Sequence, residues 1–148
     1  MLNRRDWIVA ALTTLFAGSA SGAGVRKDTV KVRKNPGCGC CDKWAEHLQA
    51  AGFQVEVVED PNLDAYRDRL GVPARLRSCH TGVVGGYVAE GHVPGDLIRK
   101  MLAEKPAIVG IAVAGMPQGS PGMETGRTDK YDVTAFRKDG TTFVYASR

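Results

Sequence analysis

Three cysteines stand in four consecutive positions, Cys38-Gly39-Cys40-Cys41, and they limit what the chain around them can become. Ahead of them runs a β-branched stretch, Thr29-Val30-Lys31-Val32, ended by Asn35-Pro36-Gly37, a strand followed by turn-forming residues. Behind them Trp44, Ala45, Leu48 and Ala51 recur at helical spacing. The cysteines therefore occupy a strand–turn–helix junction. A helix N-terminus presents unpaired N–H groups and the positive end of the helix dipole. Thiolates are stabilised there, which makes them good nucleophiles and good metal ligands. The junction points to thiol redox chemistry, to soft-metal chemistry, or to both.

The rest of the chain gives this junction a context. A helix is expected from Cys40 to Ala51, with Asp42 in its first turn and Gly52 at its end. Phe53 to Val58 alternates as a strand. Leu63 to Leu70 reads as a second helix closed by Gly71. Thr81–Val84 and Tyr87–Glu90 flank Gly85-Gly86, a hairpin signal. Pro94 to Ala103 reads as a third helix, carrying Leu97, Ile98, Met101 and Leu102. Beyond Pro106 an apolar run (108–114) leads into a Gly/Pro-rich loop (115–126) and a second hairpin around Asp139-Gly140. The order β-α-β-α-β-β-α predicts an α/β fold. A thioredoxin-like mixed sheet flanked by helices is expected, followed by the Gly/Pro-rich loop and a β-hairpin extension.

With 148 residues the chain has room for one domain, placed at 28–147. Its net charge of +4 is dispersed, with acids among the bases, so nucleic-acid binding is not expected. Residues 1–23 read as a signal peptide. Arg4 and Arg5 precede the apolar run Trp7–Ala17, and small residues follow up to Ala23. The run is short for a membrane span, so none is expected after cleavage. Asn3-Arg4-Arg5-Asp6-Trp7 leaves the export route open between Sec and twin-arginine. Export follows, and with it an oxidising compartment.

Four cysteines in such a compartment invite a reading as two structural disulfides. Crowding argues against it, because structural bridges join distant elements and a Cys40–Cys41 bridge would be strained. Cys38 and Cys41 form the C-x-x-C spacing of a redox pair. Cys40 has no place in such a pair, whereas several thiolates held together suit a soft cation such as Cu(I). A structural zinc site draws its ligands from two separated pairs, and the spacing matches neither common iron–sulfur pattern.

Cys79, in Ser78-Cys79-His80-Thr81, is placed to complete the set, because the loop before that strand approaches the cysteine turn in a thioredoxin-like fold. His80 is a candidate ligand, although on a strand it would face away from Cys79. His47 is expected to be a solvated or satisfied histidine, and His92 could line the site without any spacing to support it. Met116 and Met123 lie in the Gly/Pro-rich loop, outside any periodic element, and their thioethers suit Cu(I).

Taken together, the Cys-Gly-Cys-Cys junction, Ser78-Cys79-His80-Thr81, Gly86–Pro94 and Gly115–Glu124 resemble the small exported metal-binding proteins of the CopG copper-resistance type. The resemblance covers about residues 28–147. It implies a thioredoxin-like fold, a periplasmic location and a cysteine-bridged copper cluster on Cys38, Cys40, Cys41 and Cys79. It also implies a part in copper resistance with Cu(I)/Cu(II) interconversion. Copper ions are then the expected ligand, and other periplasmic copper-handling proteins are candidate partners. A copper oxidoreductase, a metal-free thiol–disulfide oxidoreductase using Cys38 and Cys41, and a copper chaperone remain distinct readings.

Overall fold

The computed structural model describes residues 28–148. The expected signal peptide, 1–23, lies outside the described residues. In chain order the elements are β1 (Thr29–Lys34), α1 (Gly39–Ala50), β2 (Gln54–Glu59), α2 (Leu63–Leu70), β3 (His80–Val84), β4 (Tyr87–Glu90), α3 (Gly95–Glu104), β5 (Gly110–Ala112), β6 (Asp132–Phe136) and β7 (Thr142–Ser147). A single turn of 3₁₀ helix, Ala74–Leu76, leads into β3. The expected mixed α/β sheet with flanking helices is present. Pro94 caps α3 instead of opening it.

All seven strands join one sheet in the order β2-β1-β3-β4-β5-β6-β7. The pairs β1–β2 and β4–β5 are parallel, and the others are antiparallel. The expected C-terminal hairpin extends the sheet, since β6 pairs with β5. β2 forms one edge. Its sequence alternates, yet only Val55 of its residues is even half-buried, and Val58 is exposed at 59%.

Register explains where chemistry gathers. β1 runs antiparallel to β3 with Lys34 opposite His80, so the turn leaving β1 lies beside the residues entering β3. Thr81 faces Glu90 on β4, and Glu90 faces Ala112 on β5. The segments that follow β1, β4 and β5, and the one that precedes β3, therefore emerge at the same end of the sheet.

The core behind that end is built from Val30, Val32, Trp44, Leu48, Phe53, Val84, Ile98, Met101, Ile111 and their neighbours. Trp44 is fully buried, and its indole N–H donates to the Val93 carbonyl at 2.9 Å. A buried tryptophan carries one of the largest apolar areas available to a side chain. It anchors α1, and the cysteine turn with it, to the sheet. Among the described residues no helix is long and apolar enough to cross a membrane.

Candidate metal centre

Cys38 is the N-cap residue of α1, with φ −78° and ψ 99°, and its side chain accepts no capping bond. Its N–H donates to the Asn35 carbonyl at 3.3 Å. Lys34 clamps the turn from behind. Its ammonium group, almost buried, donates to Asp42 at 2.7 Å and to the Cys38 carbonyl at 3.4 Å. The sulfurs of residues 38–41 are thereby held at a fixed helix start.

Cys79 meets them across the sheet. The Asn35 N–H donates to the Cys79 carbonyl at 3.1 Å, one residue beyond the β1–β3 ladder. The Sγ of Cys40 lies 3.4 Å from that of Cys38 and 3.6 Å from that of Cys79. All four sulfurs fall within 4.8 Å of one another. Cys38 and Cys41 are joined as a disulfide, with Cα atoms 5.5 Å apart, while Cys40 and Cys79 are free thiols.

Two imidazoles complete the group. His80 Nδ1 is 3.4 Å from Cys79 Sγ, and His92 Nε2 is 3.5 Å from it. His80 faces Cys79, contrary to strand alternation, because β3 begins at His80 and Cys79 lies before it. On the far side of each ring sits a carbonyl. His80 Nε2 donates to Gly91 O at 2.9 Å, and His92 Nδ1 donates to Pro121 O at 2.8 Å. A carbonyl only accepts, so the proton is fixed on the outer nitrogen of each ring. The inner lone pairs are turned toward Cys79, the arrangement usual for metal-bound histidines. Burial, with His92 beside it, lowers the His80 pKa to about 3. Burial also lowers that of His92, opposed by its bond to Pro121. Both rings are neutral near pH 7.

The Cys79 thiol behaves differently from a sulfur at a helix N-terminus. Burial, then the neighbouring Cys40, pushes its pKa up to about 11. It remains protonated near neutrality until a cation displaces the proton.

The loop after β5 closes over the group. Ser78 Oγ donates to Gly115 O at 2.6 Å, and Gly122, at φ +89°, packs on the start of α1. A Cβ on Gly122 would stand 2.8 Å from the Cys40 carbonyl and 3.0 Å from Trp44 N. Met116, next to Gly115, is exposed at 52%, and Met123 is half-buried in a turn bonded to Ser120. His47 lies elsewhere, its Nε2 accepting the Gly95 N–H at 3.0 Å, a satisfied histidine as expected.

The sequence placed the four cysteines, His80, Met116 and Met123 as candidates; the fold brings the cysteines and His80 together, and the two methionines lie in the loop above them. His92 carried no spacing signal. Its placement depends on the β3–β4 register, for which the Gly85-Gly86 hairpin is the sole local clue. The donor set of four sulfurs and two neutral imidazoles fits a soft or borderline metal ion.

A mixed α/β protein that collects such donors at one end of its sheet belongs to the class whose sites handle soft metals or thiol redox. A family model described as "Protein of unknown function, DUF411" matches residues 76–123, and no curated protein matches the chain. Two solved structures are similar along most of their length. "Copper resistance protein copG- Form 2" is 44% identical, with 82% of this chain and 98% of that chain covered and a TM-score of 0.79. "Copper resistance protein copG- Form 1" is 45% identical, with 81% and 96% covered and a TM-score of 0.78. The chain belongs to the CopG family of copper resistance proteins.

Proposed function

We propose that this protein is a periplasmic copper-binding protein of copper resistance, exported by a signal peptide at 1–23 and holding Cu(I) through Cys38, Cys40, Cys41 and Cys79. One observation carries the reading: the convergence of these four sulfurs within 4.8 Å beside two neutral imidazoles. His80 joins as a nitrogen ligand, and Met116 and Met123 as thioethers from the covering loop. The domain, 28–147, is read as thioredoxin-like. Its first four strands lie in the order β2-β1-β3-β4 with β3 alone antiparallel, and the cysteines fill the first strand–helix turn.

Loading the site needs the Cys38–Cys41 disulfide opened. Two electrons and two protons from a thiol reductant yield the two thiols. Each sulfur that takes up the ion then gives up its proton, Cys79 included. The same thiols are electron donors. Two of them joining as one disulfide release two electrons and two protons, enough to convert two Cu(II) to two Cu(I). That balance supplies reduction of Cu(II) to Cu(I); the return to Cu(II) would need an external one-electron acceptor for each ion.

Anaerobic titration of the reduced protein with Cu(I) tests this reading. Several Cu(I) per chain are expected, with fewer in Cys40→Ser. Stoichiometric zinc with no copper uptake would refute it.

The Cys38–Cys41 disulfide favours a second reading, a metal-free thiol–disulfide oxidoreductase. That protein would reduce a disulfide substrate with copper chelated away, at a potential near thioredoxin's, about −270 mV. Inactivity of the metal-free dithiol protein would remove this alternative.

A further inference from the structure

Behind Cys79 lies a buried ion pair that the metal reading does not use. Arg67, on α2, is 3% exposed, and Glu90, at the end of β4, is fully buried. Arg67 Nε stands 3.0 Å from Glu90 Oε1 and 3.1 Å from Thr81 Oγ1. Thr81 Oγ1 in turn donates to Glu90 Oε2 at 2.5 Å. Arg67 Nη1 reaches out to Asp64 at 3.1 Å. Every group facing the Glu90 carboxyl is a donor, which opposes the upward push that burial gives its pKa.

The pair closes on the residue next to Cys79. Ser78 precedes β3, so no strand neighbour takes its main-chain polar groups. Glu90 Oε1 accepts the Ser78 N–H at 2.8 Å, and Arg67 Nη2 donates to the Ser78 carbonyl at 2.5 Å. One peptide unit on each side of Ser78 is thus gripped by opposite charges. The next anchors along are Asn35 N on the Cys79 carbonyl and Gly91 N on the His80 carbonyl. Ionic pairs buried this deeply are often no more stabilising than apolar residues of equal volume. What they supply is geometry.

We infer that Arg67, Glu90 and Thr81 are positioning residues that hold Cys79 Sγ in reach of Cys40, by fixing both main-chain groups of Ser78. Their purpose rests on the copper reading, but their geometry does not, and the test contains no copper. With the Cys38–Cys41 disulfide intact and metal chelated, diamide takes two electrons and two protons from Cys40 and Cys79, and the two sulfurs join. The rate of that closure, read by mass spectrometry at fixed pH, reports the approach of the two sulfurs.

Thr81→Val keeps the side-chain shape and removes the bridging hydroxyl. Arg67→Met/Glu90→Leu removes both charges together. Closure is expected to slow at least tenfold in each, with the far-UV circular dichroism unchanged, and Thr81→Ser is expected to return it to within twofold of the parent. Closure at the parental rate in folded variants overturns the inference. So does an unfolded double variant combined with parental closure in Thr81→Val, which assigns the network to stability alone. Absence of closure in the parent protein overturns it as well, because Cys79 is then not where the network is said to hold it.

Discussion

Acid should weaken the metal-free protein in a way that one side chain dominates. His80 is fully buried, stacked 4.3 Å from the Trp44 ring, and holds a folded pKa of about 3. In the unfolded chain it titrates near 6.5. Below that value the unfolded state binds a proton that the folded state refuses, so stability is present above pH 6.5 and drains as pH falls toward 3. Over the interval from pH 6.5 to 4.5 the loss from this group is about 2–3 kcal/mol, at roughly 1.4 kcal/mol per pH unit. For a domain of this size that lowers Tm by about 10 °C. The interval lies at the upper edge of the ordinary carboxylate range, and Glu90, whose pKa burial pushes up, acts in the opposite sense and equally in the parent protein and the variant compared below. His47 and His92 are shifted in the same direction, and a paired variant separates them. Urea unfolding at half-unit steps of pH, with a chelator present, should give a steep curve for the parent protein. His80→Phe should give a shallower one. The variant loses its bond to Gly91 O, which displaces its curve by a constant and leaves the slope to report the proton. Parallel curves for the two proteins would refute the neutral, buried imidazole, and with it the open Nδ1 lone pair beside Cys79.

Three further outcomes follow from the geometry. The Cys79 pKa of about 11 means that its proton is displaced on loading throughout pH 5–9, so apparent Cu(I) affinity gains about tenfold per pH unit from this residue alone. Chelator competition should therefore show a slope reduced by one in Cys79→Ser, and an unchanged slope would exclude Cys79 as a ligand. Gly122→Ala combines a positive φ with a Cβ 2.8 Å from the Cys40 carbonyl. It should cost about 2 kcal/mol or more and speed hydrogen exchange at Gly119 and Met123; parental exchange would show that the loop does not depend on this approach. Trp44→Ala should cost about 3–5 kcal/mol in denaturant unfolding, and a loss below about 1 kcal/mol would mean that the indole does not anchor α1.

Local signals were legible and pairings were not. The β1–turn–α1 junction, α2 at Leu63–Leu70 and the β3–β4 hairpin could be read because Pro, Gly and periodic apolar residues punctuate them. No residue announces that β1 pairs with β3 in antiparallel register, yet that pairing is what carries Cys79 to the cysteine turn. His92 was obscure for the same reason, since only the Thr81–Glu90 register delivers it to the site. His80 could be named as a candidate, but alternation along a strand pointed it away from Cys79, and that alternation does not reach Cys79, which precedes β3. Arg67 looks like any solvent-facing helical arginine, and its burial shows only when Glu90 is found beneath it. β2 alternates like a half-buried strand, but nothing in its sequence states that it lies at an edge.

The centre draws on three separate stretches of chain, brought together by long-range strand pairing. During synthesis the trio at 38–41 is available before its distant companions. An ion captured then would sit under-coordinated and exchangeable until the β3–β4 hairpin docks. Tight retention of cargo thus becomes a readout of completed tertiary assembly, and an immature chain would betray itself by letting its ion go.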